Sequence, residues 1–139
     1  MRRLLLTLPF LAACSMGPRV ERFAPIRDPQ GALARVQRGR AGFNAELLAV
    51  TDSALLLVST DSARVVLAPY NAATTVSFPE LPLSYRLRAG RPPADRVREQ
   101  LRLWSRFPSG VDPVLLRRLL AAYGQDSLQV LAPCASRRC

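Results

Sequence analysis

A repeated turn signal in the first half of the chain constrains the fold most strongly. Thr51-Asp52-Ser53-Ala54 recurs nine residues later as Thr60-Asp61-Ser62-Ala63. Short polar side chains of this kind favour tight turns because they hydrogen-bond to the turn backbone, and both aspartates are expected to do so. The spacing leaves room for a strand of about six residues between the turns. The repeat therefore predicts a β-meander, since solenoid repeats need units of about 20 residues.

Short apolar segments around this repeat predict five strands. Each is rich in Val, Leu, Thr or Phe and is bounded by turn residues. The turns themselves allow a second interpretation as a cation site, but two carboxylates supply few of the oxygen ligands that calcium takes. We therefore predict hairpin turns and no metal site. The predicted strands are residues 33–37, 43–50, 54–59, 64–68 and 74–78.

The second half of the chain predicts two helices between short strands. Residues 83–88 are expected to form an edge strand, and Asp95 begins a helix that Pro108 ends. A second helix has Asp112 as N-cap, Pro113 at its first position and Gly124 just past its end. Residues 127–131 are predicted to form a last strand. The two consecutive amphipathic helices predict a helical hairpin.

The segment 42–57 resembles the second and third strands of SH3-like and Sm-like small barrels, with Asp52 in the turn between them. It differs at Ala45, where Sm-like strands often carry glycine, and the Sm-like second nucleotide-binding motif is missing. The resemblance therefore implies the barrel shape but no RNA binding. The predicted class is α+β: a small antiparallel β-meander or SH3-like half-barrel, then a C-terminal helical hairpin and a short final strand.

The N-terminus has the layout of a secretory signal. Met1-Arg2-Arg3 precedes a mostly apolar run at residues 4–11 and the small residues Ala12 and Ala13. The run is too short to span a bilayer, which needs about 20 apolar residues. Leu11-Ala12-Ala13-Cys14 resembles the lipobox of bacterial lipoproteins. An ordinary secretory signal is the alternative.

The lipoprotein resemblance implies a membrane anchor. A signal peptide at 1–13 would be removed, and Cys14 would carry the acyl chains, which anchor stably when several are present. Ser15 after the cysteine implies the outer membrane, with the domain facing the periplasm. The expected organisation is a tether at 14–32, one domain at 33–133 and a cysteine tail at 134–139.

Two further cysteines, Cys134 and Cys139, lie in the tail. If Cys14 carries the lipid, an even number of cysteines is left, and in an oxidising compartment this favours a disulfide between them. A redox or metal pair is the alternative, but it lacks Cys-x-x-Cys spacing and any histidine. We therefore expect a local disulfide.

The charged residues narrow the chemistry. All 20 basic residues are arginine, with no lysine or histidine, which excludes Schiff-base lysines, Ser-Lys dyads and histidine metal sites. No cofactor is predicted. The net charge of +10 could indicate nucleic-acid binding, but the predicted compartment argues against it. A solvated arginine-rich surface is the simpler interpretation.

Four arginines on the first predicted helix are candidate contacts for anionic lipid or glycan, because the guanidinium fork suits phosphate oxygens. A solvated helix face is the alternative. Aromatic residues of the two helices could line a ligand groove, although core packing is the commoner use. The arginines are Arg96, Arg98, Arg102 and Arg106, and the aromatic residues are Trp104, Phe107 and Tyr123.

Three functions follow from these patterns. The first is a membrane-anchored envelope lipoprotein of non-catalytic structural or adaptor type, with an unknown protein partner. The second is a binding module for anionic lipid or glycan through the arginine-rich helix. The third is a hydrolase with paired carboxylates, although the surrounding sequence marks no pair. Its candidates are Glu46, Asp52, Asp61, Glu80, Asp95 and Glu99.

Overall fold

The computed structural model describes residues 30–72, 74–81, 85–87 and 91–132. Within these ranges the chain forms seven strands and two helices, which confirms the predicted α+β class. The elements are β1 (Leu33–Arg38), β2 (Ala41–Val50), β3 (Ala54–Ser59), β4 (Val65–Pro69), β5 (Thr75–Phe78), β6 (Tyr85–Leu87), α1 (Asp95–Leu103), α2 (Pro113–Ala122) and β7 (Gln129–Val130).

The seven strands form one sheet in the order β6-β5-β1-β2-β3-β4-β7. Neighbouring strands are antiparallel except β4 and β7, which are parallel. Strands β1 to β4 follow one another across the sheet, and β5 then returns to pair with β1, with Val36 opposite Val76. The sheet is therefore mostly antiparallel, as predicted.

A short link between β4 and β5 requires the sheet to curl. These strands are separated by β3, β2 and β1, which corresponds to about 19 Å in a flat sheet with strands about 4.8 Å apart. Only residues 70–74 join them. Backbone hydrogen bonds from Ala72 N to Pro69 O and from Thr74 N to Ala72 O shorten the reach of this link. The two strands must therefore approach each other through curvature of the sheet.

The repeated signal forms both predicted turns, but hydroxyls close them instead of aspartates. Thr51 Oγ1 accepts a hydrogen bond from Ala54 N at 2.9 Å, and Ser59 Oγ accepts one from Ser62 N at 3.2 Å. Asp61 Oδ2 instead accepts from Asn44 N on β2. The expected aspartate bonds to their own turn backbone are not among the contacts of the described residues. Both carboxylates bond to other elements.

Strand β2 contains a bulge and is buried on both faces. The pairing of β2 with β3 shifts between Leu47 and Ala49. Leu48 and Ala49 both lie in one apolar cluster, whereas Leu47 and Val50 lie in another. All six residues of β3 are buried as well. The centre of the sheet is therefore covered on both faces.

The two helices cover opposite faces, so the predicted helical hairpin is wrong. Leu101 of α1 packs in the cluster with Leu47, which we call the α1 face. Leu119 and Leu120 of α2 pack in the cluster with Leu48, which we call the α2 face. A sheet that is apolar on both sides needs a cover on each. One helix on each face provides both covers, whereas a helical hairpin would cover one face only.

The ends of the helices confirm one prediction and correct another. Asp112 Oδ1 caps α2 by accepting from Val114 N and Leu115 N at 2.7 and 2.8 Å, and Gly124 beyond the helix has φ +63°. The capping signals of α2 were therefore correctly interpreted. In contrast, α1 ends at Leu103 and not near Pro108.

We expect the two helix anchors to act independently. Leu101→Ala and Leu119→Ala should each lower the free energy of unfolding by about 2–5 kcal/mol, because each leaves a cavity. Since the side chains lie on opposite faces, the double variant should equal the sum within about 0.5 kcal/mol. Urea unfolding measures both, with Leu103→Ala, 75% exposed, as the control. A coupling energy above about 1 kcal/mol would contradict separate faces.

Candidate functional site: a buried ion pair and an arginine-carboxylate cluster

A buried ion pair joins β2 to the segment that follows α1. Arg106 NH1 lies 3.2 Å from Glu46 Oε2 and 3.4 Å from Glu46 Oε1. Glu46 is fully buried, and Arg106 is 5% exposed. Charges removed from water are costly unless they are paired and hydrogen-bonded. Each of these two residues therefore requires the other.

Glu46 also binds the chain where it enters the domain. Its Oε1 accepts hydrogen bonds from the backbone N–H groups of Gln30 and Gly31, at 2.9 and 2.8 Å. Gly31 approaches β2 so closely that a Cβ would lie 2.2 Å from Leu47 O. The entry point therefore needs a residue without a side chain, and residues 30–32, assigned to the tether in the sequence, already contact the sheet.

The segment after α1 fills an open edge of β2. Strand β1 begins at Leu33, opposite Glu46, so the following β2 residues have no β1 partner. Arg106 N donates to Leu47 O at 3.0 Å, and Phe107 N donates to Leu48 O at 2.8 Å. These bonds carry the chain from the α1 face to the α2 face and place the Arg106 side chain against Glu46.

The prediction that Arg106 lies on the exposed face of the first helix is wrong. Because α1 ends at Leu103, the helical periodicity no longer applies at Arg106. The missed signal was Glu46 itself, the one charged residue in β2 and directly followed by apolar residues. A buried carboxylate of this kind requires a basic partner, but the sequence does not say which of the 20 arginines it is.

Arg98 and Arg102 form a second cluster of charges, at the exposed side of α1. Arg98 NH2 lies 2.8 Å from Asp95 Oδ1, and Arg102 NH1 lies 2.8 Å from Glu99 Oε1. Asp52 Oδ1, from the turn between β2 and β3, lies 3.7 Å from Arg98 Nε and 3.2 Å from Arg102 NH2. Three carboxylates thus surround two guanidinium groups.

This cluster offers little positive charge to an anionic ligand. Its three carboxylates exceed its two arginines by one negative charge. Arg96, the remaining predicted contact, is exposed, and no acidic side chain among the described residues pairs with it. Of the four predicted arginines, the structure thus brings two together, buries one and leaves one on the surface.

The other two hydrolase candidates, Asp61 and Glu80, lie apart from this cluster. Asp61 bonds to Asn44 N, and exposed Glu80 borders a hollow of about 340 Å³ beside Arg35. A glycosidase needs one carboxyl kept protonated by apolar surroundings near a second carboxylate. Asp52, Asp95 and Glu99 are instead exposed and lie against guanidinium groups. The geometry marks none of these carboxylates as a general acid.

An open groove of about 590 Å³ borders β4 and β7. This volume lies in the range of small-molecule sites. Its lining is mostly apolar, with Val130 of β7 55% exposed and Asp52 at one side. The sequence predicts neither the groove nor the parallel pairing of β7. The lining residues are Asp52, Ser53, Ala54, Leu67, Pro69, Tyr70, Asn71, Pro92, Val130 and Leu131.

The three aromatic residues that the sequence assigns to the helices do not line a common groove. Trp104 packs on the α1 face, whereas Phe107 and Tyr123 pack on the α2 face. The core interpretation of these aromatics is therefore confirmed, and the ligand-groove alternative is wrong.

Two tyrosines, the buried Tyr70 and the half-buried Tyr123, have raised pKa values. Burial raises the pKa of Tyr70 to about 12, although Arg98 and Arg102 lower it and Asp52 raises it further. Its hydroxyl donates to Thr51 O at 2.9 Å. Burial likewise raises the pKa of Tyr123 to about 12, with Arg106 lowering it and Glu46 raising it. Tyr123 thus lies within electrostatic reach of the buried ion pair.

Several predicted features lie outside the described residues. These include Cys14, Cys134, Cys139 and the signal segment at 1–13. Within the described ranges, no three potential metal-ligating side chains come together. None of the helices described is both long enough and apolar enough to span a bilayer.

Comparison with known proteins yields no relative. No family model, curated protein or solved structure matches the chain. Function therefore has to be inferred from the residues and contacts of the chain itself.

We expect Glu46→Gln to destabilise the fold by about 3 kcal/mol, because it leaves the Arg106 charge buried without a counter-charge. Replacing both residues, as Glu46→Gln with Arg106→Met, should cost less than the sum of the single changes. Chemical unfolding gives these values. Asp95→Asn, which removes one exposed ion pair, is the control and should cost less than about 1 kcal/mol. Equal losses for Glu46→Gln and Asp95→Asn would show that the buried pair is not special.

Stability should fall in alkali. The pKa of both tyrosines rises from an ordinary value of 10.0 to about 12 on folding, so the folded state holds these protons more tightly than the unfolded state. The two tyrosines make their full contribution to the free energy of unfolding below pH 10, and this contribution is lost as the pH rises through about 12. Phenolate absorbance and unfolding midpoints measured against pH test this, with Tyr70→Phe/Tyr123→Phe expected to flatten the decline. Titration of all tyrosines near pH 10 in the folded protein would contradict it.

Proposed function

We propose that this chain is an envelope lipoprotein, anchored through Cys14, that acts as a non-catalytic structural or adaptor module for a protein partner. The resemblance of Leu11-Ala12-Ala13-Cys14 to a lipobox supports the anchor. Ser15 supports an outer-membrane location with the domain facing the periplasm. A disulfide between Cys134 and Cys139 belongs to the same proposal, because that compartment is oxidising.

One observation carries the adaptor part of the proposal. The charged groups that could serve chemistry make contacts within the fold: Glu46 with Arg106, and Asp52 with Arg98 and Arg102. The open surface beside them is the mostly apolar groove at β4 and β7. An apolar groove at the edge of a sheet suits an extended, largely apolar segment of another protein.

The same contacts count against the alternative of an anion-binding module on α1. An anionic ligand would have to displace Asp52, Asp95 or Glu99 from the arginines they bind. Arg106 is buried against Glu46, which pairs with Val58 of the α2 face, so it lies on the other side of the sheet from α1. The adaptor proposal does not need any of these pairs to break.

The finer shape, an SH3-like half-barrel, is also a proposal. A half-barrel needs a curled sheet, and the short β4 to β5 link together with the return of β5 to β1 supports it. The bulge in β2 supports it as well, because bulges bend strands. Strands β6 and β7 extend this sheet at its two edges.

The proposal is tested first at the anchor. Protein extracted from bacterial membranes should have the mass of residues 14–139 plus acyl chains, and Cys14→Ser should abolish the modification. Intact mass spectrometry distinguishes the two. An unmodified full-length mass in the soluble fraction would refute the anchor.

The adaptor role is tested in the same cells by crosslinking. The wild type should give a crosslinked species of defined mass, and Val130→Asp should reduce it because a charge then enters the apolar groove. Leu103→Asp is the matched control, since Leu103 is exposed but lies outside the groove. Equal crosslinking by the wild type and Val130→Asp would exclude the groove as the contact.

A further inference from the structure

The side chain of Gln125 takes the place of a strand residue beside β4. Its Oε1 accepts a hydrogen bond from Val65 N, and its Nε2 donates to Val65 O at 3.2 Å. In an antiparallel ladder, one residue of a neighbouring strand offers the same pair of bonds through its own N–H and C=O. Sixty residues separate the two partners in sequence. The contact therefore joins the chain just beyond α2 to the sheet.

The end of α2 fixes the backbone of Gln125. Gly124, with φ +63°, donates from its N–H to Ala121 O at 3.1 Å, and Gln125 N donates to Leu120 O at 2.9 Å. These two bonds form a Schellman motif, a common way for a helix to end at glycine. Leu120 is itself buried on the α2 face. The side chain of Gln125 therefore extends towards β4 from a backbone that the packed helix holds in place.

The backbone groups that β4 directs away from β3 are also occupied further along the strand. They belong to alternate residues, namely Val65, Leu67 and Pro69. Leu67 O accepts from Leu131 N at 2.9 Å, and Pro69, which has no N–H, accepts from Ala72 N through its C=O. Within the part of the chain that the structure describes, β4 therefore leaves no edge for an added strand. The groove beside β4 offers apolar side chains instead.

The position of β7 determines the shape of this groove. Val130 and Leu131 line it from the β7 side, and Leu67 of β4 lies opposite Val130 in the sheet. Strand β7 has two residues, Gln129 and Val130, and both are exposed, so the pairing by itself holds the strand weakly. A shift of one residue would turn both side chains to the opposite faces. The wall of the groove thus depends on contacts that hold β7 from outside the strand.

Contacts on both sides of β7 hold it. After the strand, Leu131 is 8% exposed and packs on the α1 face, and before it Leu128 packs on the α2 face. These apolar contacts are non-directional. Gln125 Nε2, in contrast, lies 3.4 Å from Ser127 O as well as bonding to Val65 O. One amide group thus ties the link into β7 to a defined residue of β4.

We propose that Gln125 is the positioning residue that aligns β7 with β4 and thereby sets the wall of the groove that receives a partner's apolar side chains. The alignment follows from the contacts of Gln125 itself. Its consequence for binding rests on the proposed adaptor function. Because β4 offers no edge for strand addition, the fit of apolar side chains between β4 and β7 has to provide the recognition.

Amide hydrogen exchange tests the alignment in the full chain with Cys14→Ser, which carries no acyl group. In Gln125→Ala, exchange of Leu131 N–H should become roughly tenfold faster, because hydrogen bonds to β4 worth about fivefold each are lost. Amides of β2 and β3 should keep their rates. Gln129→Ala is the matched control, since Gln129 is an exposed residue of β7 itself, and it should change the rate by less than about twofold.

Gln125→Glu separates positioning from a general effect on stability. A carboxylate can accept from Val65 N but cannot donate to Val65 O, whereas a protonated carboxyl group can do both. Relative to the wild type at the same pH, exchange of Leu131 N–H should be faster at pH 7 and should recover at about pH 4, near the ordinary glutamate pKa. Gln125→Ala should show no recovery. Circular dichroism at both pH values checks that the variants fold.

Two results would overturn the alignment. One is the same Leu131 exchange rate in Gln125→Ala as in the wild type. The other is a faster rate in Gln125→Glu that does not recover in acid.

The crosslinking assay tests the consequence for binding. Gln125→Ala should reduce the crosslinked species as Val130→Asp does, and Gln129→Ala should not. Full crosslinking by Gln125→Ala despite faster exchange would show that the alignment does not set the groove. Because exchange needs no partner, a wild type without any crosslinked species would count against the adaptor function while the exchange rates still decide the role of Gln125.

Discussion

The ion pair between Glu46 and Arg106 connects three parts of the chain that are distant in sequence. It links the entering backbone at Gln30 and Gly31, strand β2, and the segment after α1. A buried carboxylate without a cation would destabilise the fold. The segment after α1 must therefore lie where Arg106 can reach Glu46. That position lies beside the edge of β2 that β1 leaves open, where the chain crosses to the other face of the sheet. The arrangement of both helices depends on this crossing.

The double-sided burial of β2 and β3 explains why the crossing is necessary. Successive residues of β3, such as Leu56 and Leu57, belong to different apolar clusters. A helical hairpin would cover one cluster and leave the other exposed to water, at a cost of about 25 cal/mol per Å² of apolar surface. The Glu46–Arg106 pair lies where the covering chain passes between the faces. A polar contact thus specifies the path, and apolar burial supplies most of the stability.

Local signals predicted the elements, whereas their partners depended on contacts that sequence patterns do not show. The turns after β2 and β3 and the ends of α2 are determined within a few residues, by Thr51, Ser59, Asp112 and Gly124. The return of β5 to β1, the parallel pairing of β7 and the partner of Glu46 are non-local. The ion pair between Asp52 and Arg102 is non-local as well. Helical spacing alone predicts that Arg102 faces solvent and does not indicate Asp52 as its partner.

The arginines show how pairing, and not composition, determines the role of a residue. Arg106 is buried with a carboxylate, Arg98 and Arg102 share exposed carboxylates, and Arg117 and Arg118 have none among the described residues. A guanidinium group stays charged in proteins. Each arginine side chain must therefore pair with a carboxylate or face water. Among the acidic residues of the described chain, Asp52, Asp95 and Glu99 pair with the arginines of α1, and Glu46 pairs with Arg106. The positive charge that remains for the surroundings is therefore spread over exposed arginines of several elements, among them Arg35, Arg64, Arg96 and Arg117.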